Sequence, residues 1–310
     1  MKKILVIGSA NMDLALNVYR APERGETVTD NGGVAYTPGG KGANAAIAFQ
    51  KLGANVSFSA KLGADLHGQK LYTYYKELGL DTSLIRVDRA LPTGFATVIK
   101  EADGENRIIY YPGANSHITE EQMIRAFDEA NPEALYIGFE ISFESALTAM
   151  RIAQSRGVPI FVDAAPAKEE YSLESMPPIE IFSPNETETY TYTGIMPQGA
   201  DSCLRAALAL WKRVKCKYIV IKLGARGSAI YDGKHFDMIS AAEVARVVDT
   251  TAAGDTFTAA MVHAYVSSPI IKAAVRYANA AAALAIMRTG ATTSIPTAEE
   301  VKDFILKNSR

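Results

Sequence analysis

Residues 4–13 read Ile-Leu-Val-Ile-Gly-Ser-Ala-Asn-Met-Asp, an apolar run followed by a small-residue turn. Its first four side chains are branched and apolar without polar alternation, as in a strand buried on both faces, and Gly8 ends the run. A strand dry on both faces needs helices on either side of its sheet, which is the situation of parallel sheets. Similar runs stand at 56–60, 134–137, 159–162, 179–182 and 218–221, with helix-period segments such as 145–156 and 201–214 between them. That alternation predicts βαβ units and an α/β architecture around a mostly parallel central sheet.

Two regions break the pattern. Residues 14–38 lack a helical period and carry Gly25, Gly32 and Gly33, with Gly39 just beyond; 93–100 and 107–111 alternate like strands around the turn signal Asp103-Gly104. These segments, about 14–38 and 93–112, are expected to form a small antiparallel β flap, with edge strands of the main sheet as the alternative. The expected organisation is one domain over 1–310 carrying this lid. Near the end, Thr297-x-x-Glu300 is a capping-box pattern that opens a last helix.

The chain has 310 residues, with 32 Lys+Arg against 34 Asp+Glu and a net charge of −2. An apolar fraction of 48% with 21% charged residues excludes extended disorder. The near-neutral balance gives no reason to expect a nucleic acid partner. Cys203 and Cys216 cannot build a disulfide framework, and no Cys/His cluster marks a zinc site, so a cytoplasmic setting is expected. Lys2 and Lys3 precede an apolar run too short for a signal peptide, and the alanine-rich stretch 273–287 contains Arg276 and Asn279. No membrane association is expected.

The most informative motif is Asp249-Thr-Thr-Ala-Ala-Gly-Asp-Thr-Phe257. Small residues Ala252, Ala253 and Gly254 lead into a helix starting near Asp255, with Phe257, Ala260, Met261, Ala264 and Tyr265 at helical spacing. A helix N-terminus offers unpaired N–H groups to a phosphate, and tiny side chains let the anion approach. A carboxylate beside that anion would repel it unless it had a task, such as taking a proton from an attacking hydroxyl. The competing reading makes Asp255 a plain N-cap.

Gly39-Gly-Lys-Gly-Ala-Asn44 opens another helix and is no Walker A loop, since Gly42 follows Lys41 and Ala35 stands at the first glycine position. Gly8-Ser-Ala-Asn-Met-Asp13 is no dinucleotide fingerprint, but it places an amide, Asn11, and a carboxylate, Asp13, past the first strand, where sheets of this class bind ligands. Such a pair can hold sugar hydroxyls. Pro184-Asn-Glu-Thr-Glu188 offers Asn185 and Glu188 either as a helix start or as organisers of Mg²⁺ through water. Lys222-Leu-Gly-Ala-Arg-Gly-Ser228 follows a strand and reads as a nucleotide-contacting loop or a tight turn. The four histidines, 67, 117, 235 and 263, lack ligand spacing.

Singly these motifs are weak. Together, in this order and with GGKGAN and DTTAAGDTF about 210 residues apart, they resemble the ribokinase-like (PfkB) family of carbohydrate kinases over nearly the whole chain. The resemblance implies a Rossmann-like α/β/α sandwich with a β lid, and transfer of the ATP γ-phosphate to a primary hydroxyl of a furanose sugar, O5 for ribose. It implies that Asp255 is the general base and that the amides of Ala252, Ala253 and Gly254 form the anion hole. Asn11, Asp13, Gly40, Lys41, Asn44 and Glu140 fall at its sugar positions. Asn185, Lys222, Gly224, Arg226, Gly227 and Asn279 fall at its nucleotide positions, with Gly254, and Glu188 at the one that organises Mg²⁺. Asp249, Thr251, Ala285, Arg288, Gly290 and Ser294 match its K⁺ site, mostly through carbonyls. The family lid pairs between two subunits, which implies a homodimer.

Ala45 stands where glutamine is common in the family, and Ala225 where serine often sits. Ribose is the expected acceptor, with deoxyribose, a ketohexose derivative or a nucleoside as alternatives. A non-catalytic sugar- or nucleotide-sensing module and a nicotinamide-dependent oxidoreductase are the readings from other classes; the second lacks the glycine fingerprint.

Overall fold

A computed structural model describes residues 2–30, 32–102 and 106–308. In chain order the first half comprises β1 (Lys3–Ile7), β2 (Asn11–Asn17), β3 (Ala35–Gly39), α1 (Lys41–Lys51), β4 (Asn55–Ser59), β5 (Lys61–Gly63), α2 (Leu66–Glu77), β6 (Arg86–Asp88), β7 (Gly94–Lys100) and β8 (Asn106–Tyr111). Then come α3 (Glu120–Ala130), β9 (Ala134–Gly138), α4 (Phe143–Ser155), β10 (Ile160–Asp163), β11 (Ile179–Ser183), α5 (Glu186–Thr193) and α6 (Ala200–Arg213). The chain closes with β12 (Cys216–Lys222), β13 (Ser228–Tyr231), β14 (Phe236–Ile239), α7 (Ala253–Ser267), α8 (Ile271–Ile286) and α9 (Ala298–Asn308).

The central sheet has eight strands in the order β14-β13-β12-β11-β10-β9-β1-β4. From β4 across to β12 every pair is parallel, and β13 and β14 add an antiparallel edge. Period-two alternation splits β1 between two cores. Ile4 and Val6 pack with Phe49 of α1, Phe257 of α7 and Val275 of α8. Leu5 and Ile7 pack with Phe127 of α3, Met150 of α4 and Leu210 of α6 on the opposite face. The expected mostly parallel sheet with helices on both sides is therefore present.

A second sheet stands apart from the first, in the order β3-β2-β7-β8, so these strands are not edges of the main sheet. Its outer pairs are antiparallel, as expected, while the inner pair β2–β7 is parallel. Asn11 faces Gly94 at one end of that pair and Asn17 faces Lys100 at the other, so both strands leave the same spot in the same direction. The Asp103-Gly104 turn lies outside the described residues. Tyr36, Ile108, Ile109 and Tyr111 leave large apolar side chains exposed on this sheet. β5 and β6 form a further two-stranded pair. The capping box at α9 is realised, Glu300 N–H donating to Thr297 Oγ1 at 3.3 Å and Thr297 N–H to Glu300 Oε2 at 2.8 Å.

Candidate active site

The site begins where α7 starts. Ala252 is its N-cap in left-handed geometry, φ 59°, which for a residue with a Cβ costs about 1–2 kcal/mol and marks a constrained turn. Asp255 is thus the third helical residue rather than the cap, and its side chain makes no capping bond. It is 4% exposed, and its oxygens face α1: Asn44 Nδ2 donates to Oδ2 at 2.8 Å and Lys41 Nζ to Oδ1 at 3.4 Å. The plain-cap reading of Asp255 is excluded. Ala253 N–H is taken by Thr250 O at 3.2 Å, whereas the amides of Ala252, Gly254 and Asp255 have no backbone partner among the described residues. The set of open donors therefore shifts from 252–254 to Ala252, Gly254 and Asp255. The adjacent charge of Asp255 holds the Lys41 ammonium protonated well above the ordinary lysine range.

The glycines of GGKGAN serve close packing. Gly40 is the N-cap of α1 at φ 95°, and a Cβ on Gly42 would overlap Gly8 and Ser9 in the β1–β2 turn. Ala43 N–H donates to Ser9 O at 2.9 Å, which fixes α1 against β1. This contact brings the first two motifs together and aims Lys41 and Asn44 at Asp255.

Asp13 and Asn11 lie on β2 beside that junction. Burial, with Glu140 and Asp255 nearby, pushes the Asp13 carboxyl up to about 7. Asp13 Oδ1 and Asn44 Oδ1 are buried acceptors with no partner among the described residues, so a ligand bringing hydroxyl donors would satisfy them. A Cβ on Gly39 would overlap the Asp13 carboxylate, so glycine there is what lets Asp13 sit so close to β3. Glu140 acts first as an organiser: its Oε2 accepts from Ser9 Oγ (2.5 Å), Lys41 N–H (2.8 Å) and Asn11 Nδ2 (3.3 Å). Two residues missed from the sequence complete this network. Asn115, wholly buried, donates to Asn11 Oδ1 at 2.7 Å and accepts from Ala10 N–H at 2.9 Å. Tyr110 on β8 donates to Glu140 O at 3.0 Å and so ties the small sheet to the site.

A cleft of about 740 Å³ runs from Lys41 and Asp255 past Asn185, Glu188 and Asn279 to the apolar Val247 and Ile286. Asn185 and Glu188 form a capping box at the start of α5: Glu188 N–H donates to Asn185 Oδ1 (2.8 Å) and Asn185 N–H to Glu188 Oε2 (2.7 Å). Burial raises the Glu188 carboxyl above its ordinary range. The 222–227 loop is also the tight turn between β12 and β13, with Gly224 and Gly227 bordering the cleft. Arg226 does not border it; its guanidinium is held by Glu186 and by Pro197 O at 2.7 Å. Asn279 donates to Ser240 O and accepts from Ser228 Oγ, both at 3.0 Å.

Lys222 turns its ammonium inward, onto Asp163 Oδ1 at 2.8 Å. Asp163 was not singled out from the sequence; its only local signal is a carboxylate ending an otherwise apolar strand.

The 249–251 turn meets the loop after α8. Asp249 accepts from Thr251 N–H (2.9 Å), Thr251 Oγ1 (2.6 Å) and Gly290 N–H (3.0 Å), bonds that outweigh its burial and hold the carboxyl below the usual range. Arg288 pairs with Glu300, Ser294 donates to Ala291 O at 2.8 Å, and Ala285 O accepts from Arg288 N–H at 3.1 Å. Among the described residues, no three His, Cys, Asp or Glu side chains cluster as a metal cage, and no helix is long and apolar enough to cross a membrane.

Residues 1–298 match the pfkB family carbohydrate kinase profile. The chain is 34% identical over 307 residues to a ribokinase of Haemophilus influenzae, covering 98% of each. It is 28% identical to a deoxyribokinase of Salmonella typhi over 306 residues, covering 98% of this chain and 99% of that one. The structure of Arabidopsis thaliana ribokinase complexed with ribose and ATP superposes with a TM-score of 0.84 at 32% identity, covering 98% of each chain. The chain belongs to the pfkB family of carbohydrate kinases.

Proposed function

We propose that this chain is an ATP-dependent kinase that transfers the γ-phosphoryl group to the 5-hydroxyl of D-ribose. The observation that carries this reading is the placement of Asp255 beside Asn44 and Lys41, at the foot of a helix with open amides. Asp255 takes the proton of the attacking hydroxyl; the new bond forms between O5 and the γ-phosphorus, and the bond to the β,γ-bridging oxygen breaks as ADP leaves. Ala252, Gly254 and Asp255 amides bear the charge on the transferring group, each donor worth roughly 10²–10³ in rate. Asp13, Asn11 and Asn44 hold the sugar hydroxyls, and the cleft toward Val247 and Ile286 takes the base of the nucleotide. The names of the Haemophilus and Arabidopsis proteins support ribose; the Salmonella relative makes 2-deoxyribose the second reading.

Mg²⁺ fits as a companion of the nucleotide phosphates, held through water by Glu188, a hard oxygen donor on the cleft wall, and supplying charge neutralisation. K⁺ would be held at the junction of Asp249 with the 285–294 loop, where the Asp249 carboxylate meets the Gly290 backbone. The small sheet closes over the sugar and excludes water, and its exposed apolar side chains are covered by the same sheet of a second copy, giving a homodimer. Two free cysteines fit a cytoplasmic setting.

ADP release across ribose, 2-deoxyribose, ketohexose derivatives and nucleosides tests the reading. Ribose is expected to give the highest kcat/KM. Sugar binding with no ADP release would instead identify a sensing module.

A further inference from the structure

At the wall of the cleft, which Lys222 borders, lies a nearly buried ion pair. The side chains of Lys222 and Asp163 are 10% and 2% exposed, and their 2.8 Å contact takes both charges out of water. Such pairs are commonly no more stable than apolar residues of the same size. Tyr136 donates to the other Asp163 oxygen at 3.2 Å, so the carboxylate is fixed at both ends. The Lys222 ammonium has a second acceptor, Thr258 Oγ1 at 3.2 Å, and that hydroxyl in turn donates to Gly254 O at 3.0 Å. Thr258 is wholly buried on α7, one turn after the open amides.

The order of donors is consistent along the chain of bonds: ammonium to hydroxyl, hydroxyl to carbonyl. The Gly254 carbonyl belongs to the same peptide as the Asp255 N–H, one of the amides without a backbone partner among the described residues. Drawing electron density onto that carbonyl makes the N–H a stronger donor, and buried hydrogen bonds in series reinforce one another. It also fixes the orientation of the peptide from which the Asp255 side chain departs.

We propose that Asp163, Lys222 and Thr258 form a buried positioning relay that sets and polarises the Gly254–Asp255 peptide for the transferring phosphoryl group. Asp163 holds Lys222, Lys222 charges the Thr258 hydroxyl, and the hydroxyl acts on the peptide. None of the three need touch the sugar. The proposal rests on the kinase reading above.

Steady-state kinetics of Thr258→Val and Thr258→Ser test it, together with thermal unfolding. Valine keeps the branched shape and both buried charges but deletes the hydroxyl; serine keeps the hydroxyl. Thr258→Val is expected to lower kcat about tenfold, the rate equivalent of one hydrogen bond. The KM values for sugar and ATP should stay within about twofold, and Thr258→Ser should keep kcat within about threefold. A Thr258→Val enzyme with unchanged kcat, whatever its Tm, overturns the relay. Lys222→Met is the second arm: kcat should fall with the ATP KM unmoved, and a raised ATP KM with kcat retained would make Lys222 a nucleotide contact and overturn the relay. A wild-type chain that releases no ADP with any sugar overturns the kinase reading and the relay with it. Wild-type turnover beside an unimpaired Thr258→Val variant overturns the relay alone.

Discussion

Asn44 Nδ2 donates to Asp255 Oδ2 at 2.8 Å across 211 residues of chain. One partner sits in the first turn of α1 and the other in the first turn of α7, so the bond joins the two glycine-rich motifs of the sequence. Asn44 and Lys41 hold both carboxylate oxygens of Asp255 toward the start of α1. Removing the amide with Asn44→Ala should leave the fold intact and let the carboxylate reorient. Since misplacement of a reacting group by about 1 Å can cost roughly 10²-fold, kcat is expected to fall 10- to 100-fold. Steady-state kinetics with circular dichroism as the fold control would show it; unaltered kcat would mean that Asp255 needs no such support.

With Asp13 in its proposed sugar-holding role, sugar recognition is expected to depend on pH. Its carboxyl titrates near 7 because burial, Glu140 and Asp255 oppose its charge. As the ionised form is the better acceptor for hydroxyls, kcat/KM for the sugar should rise about tenfold from pH 6 to pH 8 as Asp13 loses its proton. The stability effect has the opposite sense. The folded pKa lies above the unfolded one, so this group's contribution is full below about pH 4 and is lost as pH rises through about 7. Asp13→Asn should therefore remove the inflection, weaken sugar binding, and raise Tm at pH 8, by about 2–4 °C for each kcal/mol of charge burial relieved. A variant that keeps the wild-type pH profile would assign the inflection to another group.

The proposed K⁺ site, where Asp249 meets Gly290, gives a cation prediction. K⁺ is expected to raise turnover over a bulky organic cation, and Asp249→Ala to abolish the difference while the protein still binds sugar. Activity indifferent to monovalent cations would remove K⁺ from the proposed function.

Ile109 is 67% exposed and Tyr36 is 52% exposed on the small sheet. If a second copy covers them, Ile109→Asp with Tyr36→Asp should yield a monomer by sedimentation, with a raised sugar KM because the lid loses its support. A wild-type monomer at micromolar concentration would contradict this assembly.

The parts legible in the sequence are those with a local cause. β1 was readable because Ile4 to Ile7 face two apolar layers, a requirement that admits few residue types. The small sheet was readable from alternation, but the parallel sense of β2 against β7 was not, because local pattern carries no strand direction. Asp255 was readable as a helix-start carboxylate, and only the fold showed that it serves α1 instead of capping α7. Asn115, Tyr110 and Asp163 lay beyond reach: each is a single polar residue whose partners come from distant strands and loops. Arg226 shows the converse, a motif residue whose side chain the fold turns toward Glu186.

Whether Asp255 takes the proton from the attacking hydroxyl is decided by Asp255→Asn. Asparagine keeps the shape and can still meet Asn44, so sugar binding measured by calorimetry should persist. ADP release should fall by about 10²–10⁴, the contribution of a positioned general base. Turnover within a few-fold of wild type, with ribose still bound, would contradict the assignment of Asp255 as the base.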